Sequence, residues 1–171
     1  MFPILAIAAW ATTRKLGKAA RARAILAKMI KLHESGIISA SPNIFSYTAV
    51  INSCAFCEND ELEKREALQI AVKTYKESLK HATPNRVTFT TMLKALNHLL
   101  PACEKRAAAI ETIFQKCAED GQVGASVLRM LESTLDPDQL RKVVGIDAVV
   151  NGIVDIKRIP DEWTRNAKTK Y

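Results

Sequence analysis

The chain has 171 residues, of which 48% are hydrophobic, so it can form one domain or one short repeat array and is too apolar for wholesale disorder. Its net charge of +7 is concentrated at the two ends: residues 1–43 carry a net +6 and residues 157–171 a net +3, whereas residues 44–156 carry a net −2. A basic surface attracts polyanions such as RNA and acidic membrane faces, so the charge favours a polyanionic partner without identifying it.

The chain begins with an apolar stretch, residues 2–11, which is far too short to span a bilayer. Five basic residues follow, and no acidic residue occurs before Glu34. An acid-free start of this kind is compatible with an organelle transit peptide. Residues 19–29, however, continue a helical pattern, so we favour the other interpretation, a first pair of helices over residues 3–14 and 18–35.

Two segments 42 residues apart repeat one pattern: residues 42–51 read PNIFSYTAVI and residues 84–93 read PNRVTFTTML. Pro cannot continue a preceding helix, and Asn suits the turn that follows. Apolar residues then recur at helical spacing, which predicts helices over residues 45–57 and 87–99. The hydroxyl groups of Ser46 and Thr88 are the predicted N-caps of these two helices.

A second type of helix, rich in alanine on its apolar face, alternates with the first. The pattern predicts it over residues 61–81 and 102–119, and a further pair over 123–134 and 137–144. Beyond Gly145 the pattern fades, so we predict a helical repeat array over residues 1–145, a capping helix within residues 147–156 and a polar, basic tail from residue 159. Trp163 is expected to anchor this tail on the helices.

The Pro-Asn junctions, the aromatic residue after a hydroxyl, and the alanine-containing second helix resemble the pentatricopeptide repeat. The resemblance covers residues 4 to about 135. It is good at Pro42 and Pro84 and poor at the third junction, residues 121–125, which read GQVGA. It implies an all-α fold, a right-handed α-solenoid of three to four stacked antiparallel helical pairs. A period of 42 residues also fits HEAT or armadillo stacks, which stay open as alternatives.

The family resemblance also implies a function, the binding of single-stranded RNA in RNA processing, stability or translation, with one base read by each repeat on the concave face of the first helices. It pairs Thr48 with Asn85 as reading residues that favour adenine. It implies Thr90 as the reading residue of the repeat that follows this pair. It implies Asn43 as the last residue of the repeat that precedes Ile44. It implies that the apolar side chains of Phe45 and Val87 pack against bases.

Nonspecific attraction to RNA is expected from basic residues such as Arg14, Lys15, Lys18, Arg86 and Lys94. The family's usual compartment is an organelle, a mitochondrion or plastid. The acidic balance of the middle repeats keeps one rival open, an α-solenoid scaffold that binds a peptide or a partner helix.

No enzymatic activity, cofactor, metal or membrane association is expected, because the sequence has no phosphate-binding glycine loop and no clustered acids or histidines. Cys54 and Cys57 have the spacing of half a zinc site. Both fall on a predicted helix, whereas structural zinc sites prefer a turn and a second close pair. We therefore predict buried thiols at these positions.

Overall fold

The computed structural model describes residues 3–13, 15–57 and 60–167, without the side chains of Pro3 and Ile4. It is predominantly helical. The eight helices predicted from the sequence are present with ends within a few residues of the predicted ones. They are α1 (Pro3–Thr12), α2 (Lys18–Glu34), α3 (Ile44–Ala55), α4 (Glu61–His81), α5 (Arg86–Leu99), α6 (Glu104–Glu119), α7 (Ala125–Thr134) and α8 (Pro137–Val144).

The chain divides into two compact units. The first comprises residues 1–84 and 98–100, and the second comprises residues 85–97 and 101–171. Most of α5 belongs to the second unit, and the predicted boundary after residue 145 stays a prediction.

In the first unit, α1 packs against α2 and α3, and α4 packs against α2 and α3. The core between them is formed by side chains recurring at helical spacing: Ile7, Ala22, Leu26, Met29, Tyr47 and Val50. The small side chain of Ala22 is fully buried, and so is that of Ala71 on α4. Alanine on the second type of helix therefore lies in the core, as the sequence pattern indicates.

A polar contact ties α2 to α4 beside this core. The guanidinium of Arg23 donates to the carboxylate of Glu77 over 2.7 Å, and both side chains are largely withdrawn from water. Burial and the nearby Glu77 raise the pKa of Tyr47, whose ring is almost fully buried. The ion pair therefore lies in a region where water screens charges weakly.

In the second unit, α8 packs against α6 and α7. After α8 the chain forms a short 3-10 turn (Ile146–Ala148) and a two-stranded antiparallel sheet of β1 (Val149–Val150) and β2 (Ile153–Val154). A short helix, α9 (Asp161–Thr164), packs on α6.

The predicted capping helix within residues 147–156 is wrong, because these residues form the β-hairpin. Asn151 and Gly152 both have positive φ, 52° and 81°, and they join β1 to β2. A two-residue loop with this conformation matches the twist of paired strands, and Asn-Gly is its preferred sequence. The backbone N–H of Val154 donates to the carboxylate of Glu132 on α7 over 2.8 Å, which holds the hairpin on the unit.

No helix in the described part of the chain is both long enough and apolar enough to cross a membrane.

Replacing Glu77 with Ala should lower the free energy of unfolding by about 2 kcal/mol, because it leaves the Arg23 guanidinium unpaired in a weakly hydrated site. Urea unfolding followed by circular dichroism measures this. The matched control is Lys64→Ala, which breaks the exposed Glu61–Lys64 pair and should cost less than about 0.5 kcal/mol. Equal losses in the two variants would contradict a special role for the α2–α4 pair.

Candidate nucleic-acid interface

The two Pro-Asn junctions are followed by helices whose first residues, Ile44 and Arg86, are also 42 residues apart. The Oδ1 atom of Asn43 accepts the backbone N–H of Ser46 over 3.1 Å, and the Ser46 hydroxyl lies 3.5 Å from the backbone nitrogen of Asn43. This reciprocal pair is a capping box, which satisfies two backbone donors that the helix itself leaves without acceptors.

The second junction repeats the arrangement. The Oδ1 atom of Asn85 accepts the backbone N–H of Thr88 over 3.1 Å, and the Thr88 hydroxyl lies 3.4 Å from the backbone nitrogen of Asn85. The prediction that Ser46 and Thr88 are the N-caps is therefore wrong by three residues: the asparagines cap, and the hydroxyl residues occupy the third helical position. The Oδ1 atoms of Asn43 and Asn85 are thus engaged in helix capping, and each amide still has its NH₂ group as a donor.

The second residue of each helix points an apolar side chain into solvent. Phe45 is 65% exposed and Val87 is 59% exposed. Two residues further along each helix, Tyr47 and Phe89 are buried, so the side chains at these positions face the core. Two equivalent positions therefore expose apolar side chains to water, and neither side chain is buried in a core.

One turn after each of these apolar residues lies a half-buried threonine. Thr48 follows Phe45 by three residues on α3, and Thr90 follows Val87 by three residues on α5. Residues three apart are neighbours on a helix surface. The Thr90 hydroxyl donates to the carbonyl oxygen of Arg86 over 2.9 Å. It also lies 3.2 Å from the hydroxyl oxygen of Ser126 on α7, a contact that the sequence analysis did not predict.

The structure therefore places Phe45 beside Thr48 in the first unit and Val87 beside Thr90 in the second. Thr48 and Asn85, which the family resemblance pairs, belong to different units.

The basic residues are arranged differently from the prediction. Lys18 is buried, its ammonium donating to the carbonyl oxygen of Thr13 over 3.3 Å and lying 5.9 Å from the ring centre of Phe56. Arg86 is half-buried, and its guanidinium donates to the carbonyl oxygen of Ala167 over 3.1 Å. These two cations serve internal contacts because each has acceptors or an aromatic face nearby.

Two of the other three predicted cations lie within the described residues, and they differ in exposure to solvent. Lys15 is exposed and Lys94 is half-buried, whereas Arg14 lies outside the described residues. Lys15 is therefore the most accessible of the predicted phosphate-attracting residues within the described ranges.

The third junction, which lacks Pro-Asn, receives the C-terminal segment instead. The backbone N–H of Val123 donates to the carbonyl oxygen of Trp163 over 2.8 Å, and the backbone N–H of Asn166 donates to that of Gly121 over 2.8 Å. The Trp163 ring meets Phe114 edge-on at 5.4 Å between centroids. The expected anchoring by Trp163 is confirmed, and residues up to Ala167 are docked rather than a free tail. A proline at position 123 would remove the N–H that holds Trp163.

Gly121 allows this docking for two reasons. Its φ is +69°, a conformation that L side chains rarely adopt, and a Cβ atom there would lie 2.5 Å from Cγ of Arg165. The Arg165 guanidinium donates to the carbonyl oxygen of Glu119, and the Asn166 side chain donates to that of Asp120 over 2.9 Å.

The cysteines form no disulfide among the described residues, and Cys54, Cys57 and Cys117 are buried whereas Cys103 is exposed. Burial raises the pKa of Cys54 and of Cys117 to about 12. The Cys54 thiol donates to the carbonyl oxygen of Val50 over 3.2 Å. The prediction of buried thiols at positions 54 and 57 is confirmed. Within the described ranges there is no group of three or more His, Cys, Asp or Glu that could hold a metal ion.

Comparison of the chain with protein-family models, with curated proteins and with solved structures finds no match.

Replacing Gly121 with Ala should undock the C-terminal segment, because the new Cβ meets Arg165 and the positive φ costs about 1 kcal/mol. In a Trp10→Phe background, the fluorescence of Trp163 should shift to longer wavelength as its ring enters water. The matched control is Gly36→Ala, since Gly36 also has positive φ, 94°, but has nothing within 4 Å of a Cβ atom. An unshifted Trp163 emission in the Gly121 variant would show that the docking does not depend on this glycine.

Thiol labelling should separate Cys103 from the three buried cysteines. In the native protein at pH 8, iodoacetamide should alkylate Cys103 first, because the reaction needs an accessible thiolate. The pKa values of about 12 leave Cys54 and Cys117 almost entirely protonated at pH 8, and both thiols are buried, so their labelling should be much slower than that of Cys103. Mass spectrometry of peptides measures the four rates, and equal rates in native protein would contradict the buried placement.

Proposed function

We propose that the chain is a right-handed α-solenoid of the pentatricopeptide type that binds single-stranded RNA through the first helix of each repeat. The proposal is supported by one recurrence in particular: α3 and α5 each expose an apolar side chain at their second residue, with a threonine one turn later. Core packing does not account for Phe45 and Val87, since both are more than half exposed.

The geometry suits base contact within each unit. The exposed face of Phe45 gives a base a surface on which to stack, and stacking of this kind contributes about 1–3 kcal/mol per base. Thr48, one turn along the same helix, is close enough in register for its hydroxyl to meet the edge of a stacked base. In the second unit Val87 supplies a smaller apolar surface. The Thr90 hydroxyl, which donates to the Arg86 carbonyl, retains lone pairs that can accept a base N–H.

Electrostatic attraction contributes less to RNA binding in this arrangement than the net charge of +7 suggests. Lys18 and Arg86 are engaged within the protein, so nonspecific phosphate attraction falls mainly to exposed cations such as Lys15. Binding through Phe45 and Thr48 should consequently depend only weakly on salt. Two contact positions give modest affinity, and a role in RNA processing in an organelle would require additional repeats or a partner protein.

Short fluorescent RNAs of a single base type, measured by anisotropy over a salt series, test the proposal. We expect a preference for purine RNA that persists at moderate salt. Phe45→Ala should weaken binding about 5- to 150-fold, which corresponds to the loss of one stacked base. Thr48→Val, which keeps the shape of the side chain and removes its hydroxyl, should reduce the purine preference.

The matched control is Leu62→Ala, because Leu62 is also an exposed apolar residue of the first unit, 67% accessible, but lies at the start of α4. Its affinity should equal that of the unaltered protein. Equal binding of all four RNAs that disappears as salt rises would instead indicate a basic surface with no base reading. Absence of binding even at low salt would favour the protein-binding scaffold.

A further inference from the structure

One side of α4 forms an open groove of about 590 Å³ in the first unit. Leu68 and Val72 lie on it four residues apart, and Lys73, Lys76 and Lys80 continue it toward the end of the helix. Residues on the other side of α4, such as Ala67 and Ala71, are buried in the core of the unit.

The lining of this groove is mostly hydrocarbon. Leu68 and Val72 are both half-buried, and the methylene chains of the lysines extend the apolar surface between their charged ends. The three lysines are exposed. The groove thus combines a mostly apolar lining with three exposed lysines.

The positive charge of the groove is not compensated within the described part of the chain. Lys73, Lys76 and Lys80 make no ion pair with any described residue. The acid among the lining residues, Glu77, directs its carboxylate to Arg23 at 2.7 Å. Its negative charge is therefore matched on the α2 side and does not offset the three lysines.

Helix stabilisation explains only part of this pattern. Cations in the last turn of a helix interact favourably with the partial negative charge at its C-terminus, which accounts for Lys80. Lys73 lies eight residues before the end of α4 at His81, where that effect has faded. Neither does the effect account for Leu68 and Val72 in the same groove.

We propose that this groove binds an acidic amphipathic helix of a partner protein. The distance from Leu68 to Lys80 along α4 is about 18 Å at 1.5 Å per residue, which matches about three turns of a helix lying alongside. Apolar residues of the partner would cover Leu68 and Val72, and its carboxylates would meet the three ammonium groups.

RNA suits this surface less well, because the groove lining contains no aromatic side chain on which a base could stack. The proposed helix site is independent of the RNA proposal, since Phe45 and Thr48 take no part in it.

Fluorescence anisotropy with the full chain and a labelled synthetic helix tests the proposal. The probe is a peptide of about 14 residues with leucines every third or fourth position, flanked by glutamates and filled with alanine. We expect a dissociation constant on the order of 10 µM. The same peptide with every glutamate replaced by glutamine should bind about tenfold more weakly, because it lacks the carboxylates that meet the lysines.

Two variants locate the site. Lys73→Glu combined with Lys76→Glu should weaken binding of the acidic peptide about tenfold or more, and Val72→Thr, which keeps the side-chain shape, should weaken it about threefold. The matched control is Lys28→Glu with Lys31→Glu, two exposed lysines of α2, which changes the net charge by the same amount and should leave binding within about twofold.

Three results would overturn the proposal. The first is no binding of the acidic peptide at millimolar concentration, and the second is an equal loss of peptide affinity in the two double variants. The third is displacement of the peptide by oligonucleotide RNA together with loss of RNA binding in the Lys73→Glu, Lys76→Glu variant. The last would assign the groove to nucleic acid. RNA binding that depends on Phe45 can fail or succeed without altering these outcomes, so the two proposals are tested separately.

Discussion

The capping of α3 and α5 by Asn43 and Asn85 fixes where both helices begin. Once the first free N–H groups are satisfied, the side chain at each later position is directed either to the core or to solvent by the helical repeat. This places Tyr47 and Phe89 inside and Phe45 and Val87 outside. The exposed positions of Phe45 and Val87 therefore depend on where each helix begins and on which of its residues pack in the core.

The two units differ in how they hold their helices together. The first has a core of apolar side chains from α1, α2 and α3, which includes Tyr47, and an ion pair between α2 and α4. The second adds non-helical elements, a hairpin attached through Glu132 and a C-terminal segment attached through Trp163. In the second unit, the Glu132 side chain on α7 accepts from the hairpin, and main-chain groups at the end of α6 and in the turn after it bind the C-terminal segment.

Helix positions could be predicted closely because they follow from local features: apolar spacing, prolines at junctions and glycines at ends. The hairpin was missed because strands of two residues are too short to show alternation, although Asn151-Gly152 is itself a turn signal. The burial of Lys18 and the docking of Trp163 could not be predicted in detail, because both depend on residues far away in the sequence. For the candidate site, the sequence identified the helix starts and the exposed Phe45 and Val87, but it misassigned the caps and overestimated the accessible positive charge.

The polar contacts of the C-terminal segment with the end of α6 and the turn after it are made to main-chain carbonyl oxygens. Arg165 and Asn166 bind the carbonyl oxygens of Glu119, Asp120 and Gly121, which every amino acid provides. Side chains at positions 119 and 120 can therefore change during evolution without loosening the attachment, provided that the turn keeps its backbone shape. Sequence variation at these two positions would be silent with respect to this contact, whereas variation at Phe114 would not, because its ring packs against Trp163.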